Sequence, residues 1–443
     1  MATALRISLV GWAAAGVLSV AVSAAPPVPG KPNEAPGNQG VTATPTSREV
    51  GEDPVLKAPP GLPDVPLVRN QATINTLLNV REPKGGAGTQ LVRLTATASP
   101  PAPSGVAAIA YDKFLGPLTM KSLGQVMNTT TALNHGWPRG RSVMLTYSEH
   151  PAPVELDVAS LAGALALDSM IRDWDIEPTF AAVGSMHDKG EVAMVGAMTD
   201  RLYAAARFRV SRLVVPVKNE QQVADFLLSQ GITAFVGTQI FTVTKLDDAR
   251  PLAMTTLDDA TKEIITLFGA VQRTLGAAGA GSVGLLRGEF VQGTLKKVLE
   301  KAPNHLSAKV LYDWGTGTRT TMSLDGSIDY IDRGAADILH SMRANKQQDA
   351  LGINKQNLAD NMARIKFVVS GGRLDLQAQP YAVALYRLGE AVQRIIGMSS
   401  RPPNKLNATQ QKDFDTARET AKAEWTKMAQ ARINSPAPGE EPK

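Results

Sequence analysis

Asp157-Val-Ala-Ser160-Leu-Ala-Gly163 sets a serine at the head of an alanine-rich run, and Gly196-Ala-Met-Thr-Asp-Arg201 closes 41 positions later (201 minus 160). Between them, Phe180–Val183 and Glu191–Val195 are short apolar runs on either side of Asp188-Lys-Gly190, the pattern of a hairpin. The run from Leu161 to Trp174 has helical spacing, so Ser160 stands where a helix begins. The first turn of a helix offers unpaired N–H groups and the positive end of its dipole, a setting that stabilises a developing oxyanion.

Outward from this stretch, short strand-like runs alternate with helical ones. Gln90–Ala98 alternates apolar and polar residues, and Val106–Tyr111 and Ser142–Tyr147 are further strand candidates. Leu123–Leu133 reads as a helix between them. Past Ser160, Thr199–Phe208 and Glu220–Gln230 read as helices, and Arg212–Pro216 and Thr233–Val236 as strands. Residues 70–252 are therefore expected to form one α/β (α+β) domain, of ordinary size. From about Asp258 the pattern changes. The runs 261–275, 290–301, 305–314, 328–343, 355–368, 382–396 and 409–431 all have helical spacing, divided by Gly, Pro or Asn, which predicts an all-α domain over 253–434. Ala302-Pro-Asn-His-Leu-Ser-Ala308 resembles the joint of tetratricopeptide repeats, yet no 34-residue period is sustained. Such a half would dock a partner or build an oligomer.

Composition is that of a globular chain: 443 residues, 43% hydrophobic, 20% charged and a net charge of +5. That charge is spread without long Lys/Arg runs, which argues against nucleic acid as a partner. Arg6, the apolar run Ile7–Val22 and the small residues Val22-Ser23-Ala24 form a signal-peptide pattern over residues 1–24. Cysteine is absent, so an exported fold here must rest on packing alone. Residues 25–69 are rich in Pro, Gly, Ala and Thr and read as a flexible linker, and residues 435–443 as a frayed tail. The expected location is the periplasm or the exterior.

Several segments, in order, resemble the proteolytic domain of the Lon-type Ser-Lys proteases. Ser122-Leu-Gly-Gln-Val-Met127 is similar to that family's Leu-Gly-x-Val-Met helix start, and Asp157 stands three residues before Ser160 as the family's Asp stands before its nucleophile. Gly184 and Gly190 resemble the hairpin glycines. Val195-Gly196 with Leu202 and Ala204-Ala205 resembles the turn and helix that carry the catalytic Lys, and Val215-Pro216 with Asn219 the segment beyond it. The resemblance covers roughly residues 85–250 and implies a fold with Ser160 as nucleophile, Asp157 as an orienting group and position 201 as the base.

Position 201 is an arginine. A serine hydroxyl attacks only when a base takes its proton, and a desolvated lysine can serve because it sheds its charge. A guanidinium stays protonated and has no acceptor. Arg201 is expected instead to pair with Asp157 or Asp200. Val158-Ala159 where the family has Gly-Pro, the extra Leu161, and Val183 and Ser185 where it has Thr and Glu also depart from the pattern. His150 and His187 lie on the loops around Ser160 and could act as another base, although an exposed loop histidine is the plainer reading; Lys189, in the turn itself, reads as solvated.

No Gly-x-x-x-x-Gly-Lys-Ser/Thr motif occurs, and the glycines of 276–284 lack its lysine, so no ATP partnership is encoded here; no His-Glu-x-x-His or other metal pattern appears, and no cofactor is expected. The expectation is an exported, catalytically degenerate Lon-type domain that binds peptides or unfolded protein segments and can form homo-oligomers. The alternatives are an active, ATP-independent serine endopeptidase working through Ser160 with an atypical base, and a structural envelope protein.

Overall fold

The computed structural model describes residues 55–81, 87–100, 108–112, 118–148, 156–187, 190–344, 352–397 and 406–434. The described residues form ten strands: β1 Val55–Lys57, β2 Gln71–Arg81, β3 Ala87–Ser99, β4 Ala108–Tyr111, β5 Ser142–Tyr147, β6 Phe180–Ala182, β7 Ser185–Met186, β8 Val192–Ala193, β9 Arg212–Pro216 and β10 Gln239–Val243. Eight of them make one mixed sheet in the order β1-β4-β5-β3-β2-β6-β9-β10, and β7 and β8 pair separately. β2 and β3 are antiparallel over the full register from Gln71↔Thr97 to Arg81↔Ala87. β6, β9 and β10 run parallel to one another. They are buried throughout, as parallel strands covered on both faces must be. β5 alternates buried with more exposed residues, because one face of that region is open to water.

Helix α2 Ser160–Arg172 covers one face of β2 and β3, and α1 Leu118–Asn134 packs beside it against β4 and β1. The two helices approach closely at Gly163, where a Cβ would lie 2.9 Å from Val126 Cγ2 and 3.7 Å from Leu94 Cδ2. α3 Met198–Arg207 borders the other face, where its Tyr203 and Arg207 share a cleft with Asn79 and Thr89. α4 Glu220–Gln230, the single turn α5 Ala234–Gly237 and α6 Leu246–Ala253 complete this half. The other half consists of α7 Asp259–Ala278, α8 Glu289–Lys301, α9 Leu306–Thr316, α10 Leu324–Gly334, α11 Ala336–Arg343, α12 Lys355–Ser370, α13 Gln379–Gly397 and α14 Ala408–Asn434. The α/β half followed by an all-α half is the architecture expected. Among the described residues, no helix is long and apolar enough to cross a membrane.

The halves join at β10. Thr242 donates its amide to the Asn304 carbonyl (2.9 Å), Asn304 Nδ2 donates to the Thr242 carbonyl (3.1 Å), and the Ile240 amide donates to Ser307 Oγ (3.0 Å). The segment resembling a repeat joint thus serves as the neighbour of a strand edge that would otherwise be unpaired. His305 lies fully buried between Phe241 and Phe268, with ring centroids 4.2 and 4.3 Å away, and its Nδ1 caps α9 by accepting the Ala308 amide. A second tie runs through Asp225 of α4, which accepts from Arg319 (2.7 Å), the Ser323 amide (2.8 Å) and Ser323 Oγ (2.6 Å).

Three expectations are corrected. Phe180–Ala182 is not a hairpin arm but a parallel strand of the main sheet, because its apolar run is buried on both sides; the hairpin is the shorter β7–β8 pair. Thr233–Val236 is not a strand: a helical turn starts there, and the strand follows at Gln239. The stretch read as linker carries β1, paired with β4 from Val55↔Ala110 to Lys57↔Ala108. The signal-peptide stretch, His150, Asp188, Lys189 and the tail 435–443 lie outside the described residues.

Candidate active site

Ser160 opens α2 at the end of a 3₁₀ turn, Asp157–Ala159. Its hydroxyl donates to the Asp157 carbonyl at 2.7 Å and accepts from the Met186 amide at 2.7 Å, and the residue is fully buried. Two backbone bonds interlock the same pieces, Leu161 N–H to Gly184 O (3.2 Å) and Gly184 N–H to Val158 O (3.1 Å). Gly184 has no room for a side chain, since a Cβ would stand 2.6 Å from Val192 Cγ1 and 3.0 Å from Leu161 Cδ2. Asp157 therefore meets Ser160 through its carbonyl. Its carboxylate turns to Lys121 Nζ, 2.9 Å away.

Arg201, also fully buried, points its Nε at the Gly196 carbonyl (3.1 Å) and its NH1 at the Leu77 carbonyl of β2. Of the two carboxylates expected near Arg201, Asp157 holds Lys121 at 2.9 Å and Asp200 holds Arg333 of α10 at 2.6 Å. A buried guanidinium is stabilised by carbonyl dipoles in its plane, and two carbonyls set apart suit its fork. The turn before α3 is fixed on both sides. Ala197 adopts φ 50°, an uncommon left-handed conformation for a residue with a Cβ, and Asn219 clamps Val195 by accepting its N–H (3.0 Å) and donating to its C=O (2.9 Å).

The model of the Lon protease (S16) C-terminal proteolytic domain matches residues 143–255, from β5 through the end of α6. The segment is a Lon-like proteolytic domain. An archaeal Lon protease from Methanocaldococcus jannaschii is 27% identical over 112 residues, which is 25% of this chain and 16% of that protein. The chain thus matches only a small part of that relative's length. The helical half from α7 onward lies outside the matched segment.

Main-chain groups hold both residues: the Met186 amide and the Asp157 carbonyl meet Ser160, and the carbonyls of Gly196 and Leu77 meet Arg201. No side-chain pattern in a sequence announces them. Two side chains near the site could be found, Lys121, one residue before Ser122, and Gln125, three residues after it, which donates to Ser185 Oγ at 3.0 Å. His187 donates its amide to Glu191 O within the hairpin (2.8 Å), while the Ser160 hydroxyl bonds to Asp157 O and Met186 N. No group of His, Asp and Glu among the described residues could hold a metal ion. Two clefts flank β2. One, of about 480 Å³, lies between α3 and the β2–β3 hairpin; the other, of about 610 Å³, lies between β2–β3 and residues 175–178. Ser160 lines neither.

Proposed function

We propose that this chain is an exported protein whose Lon-like domain has given up Ser-Lys hydrolysis and binds polypeptide, with the helical half as its partner-docking or oligomerising part. The observation that carries this reading is Arg201. A group that is always charged, aimed at two backbone carbonyls, stands where the hydrolytic mechanism needs an amine that can lose its proton. The Ser160 hydroxyl supports it, since both its donor and one acceptor site are already used within the fold.

The test is hydrolysis of unfolded casein by the full chain beside Ser160→Ala. The reading expects no cleavage above that control and casein retained in a binding assay. Cleavage that vanishes in Ser160→Ala overturns it. A second reading, an ATP-independent endopeptidase with an atypical base, has Lys121 in its favour, because that ammonium sits on the residue whose carbonyl holds Ser160. Lys121→Met would abolish cleavage under that reading alone. Export rests on the first 24 residues; N-terminal sequencing of protein recovered from the periplasm or medium should begin near Ala25, and intact Met1 in the cytoplasm would refute it.

A further inference from the structure

β2 has an unpaired stretch. The Ala98 amide donates to the Asn70 carbonyl (2.7 Å), which fixes which residues of the β2–β3 ladder exchange hydrogen bonds. Antiparallel pairs alternate, so Gln71, Thr73, Asn75 and Leu77 turn their N–H and C=O groups away from β3, towards β6. Two of these have occupants there: Asn75 pairs with Ala181, and the Leu77 carbonyl takes Arg201. The pairing of β2 with β6 is limited to Asn75↔Ala181, so the outward groups of Gln71 and Thr73 lie beyond it. The chain that would have paired with them leaves the sheet. Glu177 donates its amide to Ala253 O (2.8 Å), and Thr255 donates to Asp175 O (2.8 Å), which draws residues 175–177 towards the end of α6. The split is the cleft of about 610 Å³.

Its charges are almost all satisfied internally. Asp175 is held by Arg69, and Glu177 faces Arg212 at 3.5 Å. Arg93, on the same face as Thr73 and Thr95, lines the cleft, and among the described residues no acceptor meets its guanidinium. We infer that this cleft takes a short extended polypeptide bearing an acidic side chain. Its backbone pairs with Gln71 and Thr73 as an added strand, and its carboxylate lies on Arg93. This site is at the far end of β2 from Arg201, and it deepens the polypeptide-binding reading on which it rests.

The experiment measures fluorescence anisotropy of a labelled, end-blocked (Val-Glu)₄ peptide and its (Val-Gln)₄ twin with the full chain, with Arg93→Glu and with Arg93→Lys. Casein binding is followed in parallel. The acidic peptide should bind at least tenfold tighter than its twin. That margin should vanish in Arg93→Glu, survive in part in Arg93→Lys, and shrink with added salt; the Gln71 and Thr73 amides should exchange more slowly with peptide bound. Equal affinity for the twins, or an undiminished margin in Arg93→Glu, overturns the site while casein binding leaves the broader reading standing. Loss of casein binding as well would sink both.

Discussion

The Ser160 hydroxyl and the Met186 amide share a 2.7 Å hydrogen bond that ties the head of α2 to the β7–β8 hairpin. The oxygen accepts from one side and donates to Asp157 on the other, so it acts as a staple between two segments. Ser160→Ala would leave a buried N–H without its acceptor, at a cost of about 1–3 kcal/mol. Urea unfolding should show the loss as a lower midpoint with an unchanged slope. An unchanged midpoint would mean the bond is idle.

Arg201 bridges α3 to the central strand. Arg201→Met strips two buried carbonyls of their charged donor and should destabilise the fold by about 2–3 kcal/mol. Arg201→Lys should lose less, since one ammonium can still reach one carbonyl. Thermal denaturation of the pair checks the order; a Met variant as stable as the Lys variant would contradict it.

Burial pulls the His305 imidazole down to about 3, below its ordinary 6.5. The folded state keeps His305 neutral while the unfolded chain takes up a proton, so its contribution is full above pH 6.5 and declines as pH falls towards 3. Burial acts oppositely on Asp329 and Asp332, whose carboxyls are raised, so their contribution is full below the usual carboxylate range and fades as pH rises through their folded values. His305→Asn keeps a side chain able to cap α9 and cannot titrate. Between pH 4 and 6 its stability should vary less with pH than that of the natural protein. Parallel curves for the two would remove His305 from the account.

Gly326 sits against the Asp225 hub, where a Cβ would lie 2.4 Å from the carboxylate. Gly326→Ala should push Asp225 off Arg319 and Ser323, costing about 2–3 kcal/mol. Asp225→Ala makes room, so the two changes together should cost clearly less than their sum in a double-mutant cycle. Strict additivity would show that the crowding lies elsewhere.

Strands and helices bounded by clear punctuation were legible to the residue: Ser142–Tyr147, Arg212–Pro216 and Glu220–Gln230 coincide with β5, β9 and α4. β2 was not, because Thr76, Leu77 and Leu78 are buried in succession and erase the two-residue alternation. Thr233–Val236 has the β-branched and aromatic content of a strand, yet backbone bonds such as Ala234 N–H to Gly231 O wind it into a turn. At the candidate site, Asp157, Ser160 and Arg201 could be singled out because their side-chain types stand at telling spacings. The contacts of the Ser160 hydroxyl, and those of Arg201 with Gly196 and Leu77, could not, since these partners are peptide groups brought near by the fold.

The reciprocal bonds between Thr242 and Asn304 have a consequence for assembly. A bare outer strand invites a neighbouring molecule to continue the ladder, which is how soluble proteins begin to polymerise. Here residues 304–307 occupy that position permanently. Copies of this chain that associate must do so by some route other than lengthening the ladder past β10.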